Sequence, residues 1–577
     1  MKKHIALIIF LLFPFFYIYA QSPMSGTYTI GTENCDFNNI NNAFNALCTN
    51  GVSGQTYLLI TSSYDSNEEF GQIVLSGIPG ASENNNIVLT VDNSIENIEI
   101  ALNASSVFLF NDVKFFSLQG NGKLTIRNLK ESNSDVIIIV NYEPDNSSYI
   151  SIDGCEIVGG SNSSTTTGIK LFSDENNPSN YNVTIYDNII RKVGYGIYIS
   201  NDESNTSGNG KIRIVGNHIG DNRESCRITQ AGIFAYSKFN MDITNNKIFN
   251  IRGENNVWGV ILENPYKIDM QDNLILDVVS TKDSCNAIGL YIDCYSGLEG
   301  DILCANNMIS HVAGYNANAI YVRNLLEDKN IELYYNSVQM TVDYSKPFFG
   351  IEPSSCLLVQ ENRGSLKVIN NIFSNNFGDV YKGKSDRYGS AIAFDSEDNP
   401  FSEIVHNIYF TENLSNGYSV RHLDDYLTFE DWSIINDNDT TCLDIDPQFT
   451  SNTLLMIKKS NNAGTPILKI SKDYFGKLRS TVCPDIGAHE EGNPIGIRNM
   501  QKIVFDAFYK DGNIYVKSDK EMDGECILVN TIGQILGKSR IYGKTCTISV
   551  SSNLPQGVYV VLFNGKTQNT YSKLFIQ

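Results

Sequence analysis

The 577-residue chain holds 64 acidic against 43 basic side chains, a formal charge of −21 at pH 7. Acidity on that scale argues against nucleic acid or an anionic membrane surface as a partner. A composition rich in Asn, Ser, Tyr and Ile, poor in Pro and in long Ala/Leu/Glu/Lys runs, reads as a β protein, and the length makes more than one domain the default.

Residues 1–20, MKKHIALIIFLLFPFFYIYA, place two lysines before an apolar run that closes on Tyr-Ile-Tyr-Ala. This is the pattern of a secretory signal peptide, with cleavage expected after Ala20. The run is short for a membrane anchor and no stop-transfer pattern follows. The first Cys is Cys35, so the cleavage site lacks the Cys of a lipoprotein. An exported mature chain without a transmembrane helix is therefore expected, more acidic still once Lys2 and Lys3 are gone.

Residues 21–105 read as an N-terminal β region with a capping helix. In "DFNNINNAFNAL", Ile40, Ala43, Phe44 and Leu47 share one helical face, and Cys35 and Cys48 flank it. An exported chain with 12 Cys permits disulfides, although connectivity is not legible in sequence. The candidate pairs are Cys35/Cys48, Cys442/Cys483 and Cys526/Cys546; for Cys285, Cys294, Cys304 and Cys356 bonded and free states stay open. There is no CxxC and His is scarce, so a structural zinc site is not expected.

From residue 106 to 490 a pattern repeats. Asn recurs at Asn188, Asn217, Asn246, Asn273, Asn307, Asn336, Asn371 and Asn407. Three residues before each stand Ile185, Ile214, Ile243, Met270, Cys304, Leu333, Val368 and Ile404; two after stand Ile190, Ile219, Ile248, Ile275, Ile309, Val338, Phe373 and Tyr409. This is a period-2 strand running into a bend. A second column reads GIYI from Gly196, GIFA from Gly232, GVIL from Gly259, AIGLYI from Ala287, AIYV from Ala319 and AIAF from Ala391. The apolar runs are too short and too β-branched for helices. Short strands without hairpin signals at such a period predict a coil stacking on itself, one strand spacing (about 4.8 Å) per turn. The Asn column then fits an inward ladder, each amide bonding to backbone and to the Asn above and below. The pattern resembles the right-handed parallel β-helix of pectin-lyase-like proteins.

The following tail carries Trp432, Asp446, Pro447 and Phe449, then Asp485, Ile486, Gly487, Ala488, His489 and Glu490 in "CPDIGAHE". These stretches resemble the closing coils of exported β-helix proteins of Bacteroidota, a resemblance that implies a structural place for His489. Residues 491–500 read as a linker, and 501–577 as a small β-sandwich of short alternating strands. This last piece resembles the type A C-terminal sorting domain of the type nine secretion system, on Gly533, Pro555, Gly557, Tyr559 and Lys573, although the usual Asn-Pro at its start is replaced by "IVFDAFYKDGNIYV". The resemblance implies type nine secretion machinery as a partner and a secreted or outer-membrane cell-surface location.

Four residues before the Asn column stand Thr184, Arg213, Asp242, Asp269, Leu303, Glu332, Lys367 and Glu403. Arg213, Asp242 and Asp269 in successive coils form the candidate catalytic cluster. Two close carboxylates can hold Ca²⁺ or divide into acid and base, and an Arg beside them can bind an acidic sugar; solvated surface charge is the bland alternative. The Asn-Thr-Asp and Gly-His-Gly motifs of polygalacturonase-like hydrolases are missing, and "HLDD" at His422–Asp425 reads as helical capping sequence. The expected function is a non-catalytic adhesin or glycan binder, with a polysaccharide or a host or cell-surface glycan as ligand and no cofactor. The alternatives are a polysaccharide lyase or glycoside hydrolase working in the sheet groove and a purely structural spacer.

Overall fold

The computed structural model describes residues 22–576 except 142–146, 174–179, 201–209, 237–238, 297–299, 342–353, 378–388, 412–416, 436–440, 492–504, 511, 531–534, 551–553 and 566–568. The signal peptide with Ala20, and Gly533, lie outside the described residues. The chain divides into two units, Met1–Asn493 and Pro494–Gln577.

The first unit is a parallel β-solenoid. Its 13-stranded sheet (sheet B) is parallel through successive coils, and a 22-stranded sheet (sheet A) is bent along its length at the Asn column. On one side of the bend run strands such as Lys211–Val215, Asn240–Thr244 and Lys267–Gln271; on the other run His218–Ile219, Lys247–Gly253 and Leu274–Ser280. Register is strict: Ile214, Ile243 and Met270 are successive partners on the first arm, and Ile219, Ile248 and Ile275 on the second. All six are fully buried. Burying each such side chain contributes about 1.5–3 kcal/mol, and stacking like on like keeps the interior filled from coil to coil.

The small-residue column lies on sheet B. A Cβ on Gly196 would sit 2.5 Å from the Gly232 carbonyl oxygen and 2.6 Å from a methyl of Ile219, so only a glycine fits there without a shift. In the fourth coil of this column Gly289, not Ala287, pairs with Gly259 in register.

The solenoid begins well before residue 106. Met24–Ile30 pairs in parallel with Val52–Ile60, which pairs with Ile87–Val91. In that first coil helix α1 (Ile40–Asn50) occupies the place of a sheet B strand, burying Ile40, Ala43, Phe44 and Leu47. Asn39 caps it by accepting from the Asn42 amide, and the Glu69 carboxylate accepts from the Ile40 and Asn41 amides at 2.7 and 3.1 Å, satisfying donors that every helix start leaves free. These coils carry no Asn at the corner, which is why the Asn pattern does not reach them.

The far end is closed by helix α2 (Phe429–Ile435), with Trp432 buried and a capping box between Thr428 and Asp431. "HLDD" does not cap this helix: it lies at the turn of an antiparallel hairpin between Gly417–His422 and Asp425–Leu427. Residues 443–490 are not coils either. They form a strap with isolated bridges only, running back over the bend of sheet A.

The second unit has five antiparallel strands: Phe505–Lys510, Asn513–Asn530, Ile535–Ser549, Gly557–Gly565 and Asn569–Ile576. Their core holds Ile514, Val516, Leu528, Ile548 and Phe563. Tyr559 is buried and donates its hydroxyl to the Pro555 carbonyl at 2.9 Å; Gly557 pairs with Ile576 and Lys573 with Val560 on the last hairpin.

All 12 cysteines are free thiols. Cys35 contacts Thr61 and Ser63, whereas Cys48, near the end of helix α1, contacts the Ser76 carbonyl. Cys442 is buried at the end of the Asn column, where its sulfur accepts from the Asn407 amide at 3.1 Å, whereas Cys483 sits in a strap turn held by Ser480. Cys526 is buried in the core of the second unit, and Cys546 packs against that core.

Candidate functional site

The Asn column forms one continuous hydrogen-bonded ladder. Each member's Oδ1 accepts from the backbone amide and side-chain amide of the preceding Asn: Asn188 to Asn217 at 3.0 and 3.1 Å, Asn217 to Asn246 at 3.0 and 3.0 Å, and so on to Asn407. Each Nδ2 also donates to a carbonyl one coil back, as Asn246 does to Ile214 at 2.8 Å. Cys155 takes the place before the first Asn and Cys442 the place after the last. The residue ahead of each Asn, from Asp187, Gly216, Asn245, Asp272, Asn306, Tyr335 and Asn370 to His406, has a left-handed backbone with φ between 51° and 70°. That conformation makes the bend and turns these side chains outward.

The strap docks on that outward column. Asn306 donates to the Lys472 carbonyl, Tyr335 to that of Thr465, and Asn370 exchanges hydrogen bonds with Thr465. Arg479, almost fully buried, stacks 3.8 Å above the Tyr335 ring and donates to Asn306 Oδ1 at 2.7 Å and the Gly487 carbonyl at 2.9 Å. Asp485 accepts from Ser460, Asn461 and Asn462, and Glu490 from Ser480 and Asp485. The "DIGAHE" residues are thus a buckle. His489 lies edge-on to Phe475, and burial lowers its imidazole pKa.

Arg213, Asp242 and Asp269 are register partners in successive coils. Asp242 is already paired, with Lys211 at 2.6 Å and Arg213 at 3.7 Å, and Asp269 accepts from Gln271 at 2.6 Å. Two cations on one carboxylate do not make a calcium cage, which needs six to eight oxygens; among the described residues no three His, Cys, Asp or Glu converge as metal ligands. Further along this face Glu332 pairs with Lys469 of the strap.

A different constellation stands on the outer face of sheet B. Lys170, Tyr198, Phe234, Ile261, Tyr291 and Tyr321 are outward register partners, one per coil. Tyr198 and Phe234 stack at 4.7 Å, and Tyr195 meets both edge-on. A cleft of 1020 Å³ opens over this end of the row, with Asp135, Lys170, Tyr195, Tyr198, Tyr236 and Tyr295 in its lining. From Asp135 to Tyr295 it crosses six successive strands of sheet B, roughly 24 Å. Its Lys170 ammonium lies 3.8 Å from Asp135 and 5.9 Å from the Tyr198 ring centre. Burial raises the Asp135 carboxyl, opposed by Lys170, and raises the Tyr195 and Tyr198 phenols, which stay protonated as donors at neutral pH. Beyond the aromatic stack, Glu263 and Asp293 are register partners. Asp293 is held by Arg323 and Tyr291, each at 2.8 Å; burial first, then Asp293, raises the Glu263 carboxyl.

No protein-family model, curated protein or solved structure matches the chain. No helix among the described residues is long and apolar enough to cross a membrane.

Proposed function

We propose that this is an exported protein, secreted or held at the outer-membrane surface, that binds an extended glycan in the cleft of sheet B as an adhesin or glycan-binding protein. The leader of residues 1–20 and the likeness of residues 501–577 to a sorting domain support export through the type nine secretion machinery. The observation that carries the binding reading is the cleft itself: aromatic walls offer apolar surface to a sugar's C–H face, while hydroxyls, Lys170 and Asp135 supply fixed polar partners. Its length over six strands suits a chain of several sugars better than a single one. Screening the full chain on a glycan array and titrating the hits tests this; binding lost in Tyr195→Ala/Tyr198→Ala supports it, and an array without hits refutes it.

Polysaccharide cleavage is a second reading, favoured by one observation. Glu263, with its carboxyl raised by burial, stands one coil from Asp293, which is paired with Arg323 at 2.8 Å; a strand spacing of about 4.8 Å suits the carboxyl separation of a retaining glycosidase. New reducing ends that vanish in Glu263→Gln would establish it.

A further inference from the structure

We propose that the glycan track of sheet B runs past the cleft to Trp258, and that its ligand is an extended chain of equatorially 1,4-linked pyranoses lying along the solenoid axis. The inference rests on the reading of the cleft as a glycan site and adds to it a ligand class and a further binding residue. Asp135, Thr167, Tyr195, Ala231 and Trp258 are register partners on five successive strands, so their side chains share one face. The first three line the cleft. Trp258, half-buried on the strand Val257–Glu263, continues the row beyond it. Ala231, between the two aromatics, is fully buried and raises nothing between them.

The rings on this face differ in what they leave for a ligand. Tyr198 and Phe234 stack and so turn faces to each other, whereas Tyr195 crosses both at 82° and lies outside the stack. The Trp258 indole has no ring or hydrogen-bond partner among the described residues. Two strand spacings, roughly 9.6 Å, separate the strands of Tyr195 and Trp258. A chain of equatorially 1,4-linked pyranoses is nearly straight and turns over at each sugar. It therefore presents the same C–H face at every second ring, at a repeat close to that separation. The first and third sugars can rest on Tyr195 and Trp258, with the second inverted over Ala231. Equatorial hydroxyls leave each ring an apolar face of axial C–H bonds to set against an aromatic face. An axially linked chain curves and does not keep that repeat.

Tryptophan fluorescence isolates this subsite, because the chain holds 2 Trp and the other, Trp432, is buried in the helix that closes the far end. The full chain is titrated with cellohexaose, xylohexaose and chitohexaose, and with maltohexaose as the axially linked control. At least one of the first three should change the fluorescence saturably, and maltohexaose should not. Trp258→Ala should weaken that binding at least tenfold, while Trp258→Phe, which keeps an aromatic face and controls for folding, should retain most of it. For the chain that binds, the trisaccharide should bind at least tenfold more tightly than the disaccharide, which is too short to cover both rings. A hexaose that binds Trp258→Ala as tightly as wild type, equal affinity for disaccharide and trisaccharide, or binding confined to maltohexaose or another array glycan would overturn the proposal and leave the cleft reading standing. Absence of binding to any glycan, on the array as well, would sink the cleft reading itself and this subsite with it.

Discussion

The Tyr198 and Phe234 rings lie 4.7 Å apart and within 3° of parallel, on neighbouring strands of sheet B. A solenoid repeats whatever it places outward, so one aromatic per coil becomes a row, and the row ends under Lys170 at the floor of the cleft. The same repetition inside the molecule produces the Asn ladder, whose members have both neighbours as partners except at the ends.

The ladder therefore predicts a positional effect on stability. Asn246→Ala strips the Asn217 amides of their acceptor and the Ile214 carbonyl of its donor. Losing these buried bonds should cost roughly 3 kcal/mol. Asn407→Ala, beside Cys442 at the end of the row, should cost less. Urea melts of the two variants, followed by far-UV circular dichroism, compare them; equal losses would remove the ladder as a cooperative element.

The buckle predicts a local opening. Arg479 joins the strap to Asn306 and stacks on Tyr335, and truncating it leaves the buried Glu490 carboxylate without its cation. Arg479→Ala should make residues 443–490 protease-sensitive while the coils stay resistant. Limited proteolysis with mass mapping reads this, and an unchanged pattern would deny the strap its anchor.

Asp272 predicts a pH dependence. Burial pushes its carboxyl up to about 6, from 3.8, despite the Asn306 hydrogen bond and Arg479. The folded state thus holds the proton that the unfolded chain releases, so this residue's contribution is greatest below pH ~4 and is lost as pH rises through about 6. The change amounts to about 3 kcal/mol at most. Asp272→Asn should remove that component, seen as a gain in stability over wild type at pH 7 that shrinks toward pH 4. A difference independent of pH would contradict the account.

Much of this architecture was legible because it is periodic. Ile185 and Ile190 flank Asn188 as Ile214 and Ile219 flank Asn217, and that alone sets the coil and its register. The left-handed column was also visible in part, since Asp187, Gly216, Asn245 and Asp272 are the types that adopt it, but Tyr335 and His406 interrupt the pattern. The first coils escaped because α1 replaces a strand and because Asn121 and Gly122 bend the chain there without a ladder Asn. The strap was hidden for a different reason: Arg479 meets Asn306 across 173 residues, with no local period to announce it. The sheet B row was in plain view, with Tyr198, Phe234, Tyr291 and Tyr321 two residues beyond Gly196, Gly232, Gly289 and Ala319. Charge on the other sheet points to Asp242 and Asp269 instead, where Lys211 and Arg213 already pair with the first carboxylate.

The most direct measurement is a calorimetric titration of the best array glycan against three full-length proteins: wild type, Tyr195→Ala/Tyr198→Ala, and Asp242→Ala/Asp269→Ala. The account predicts at least a tenfold weaker affinity for the tyrosine variant and an unchanged one for the aspartate variant. Affinity lost in the aspartate variant and kept in the tyrosine variant would place the ligand on sheet A and contradict it.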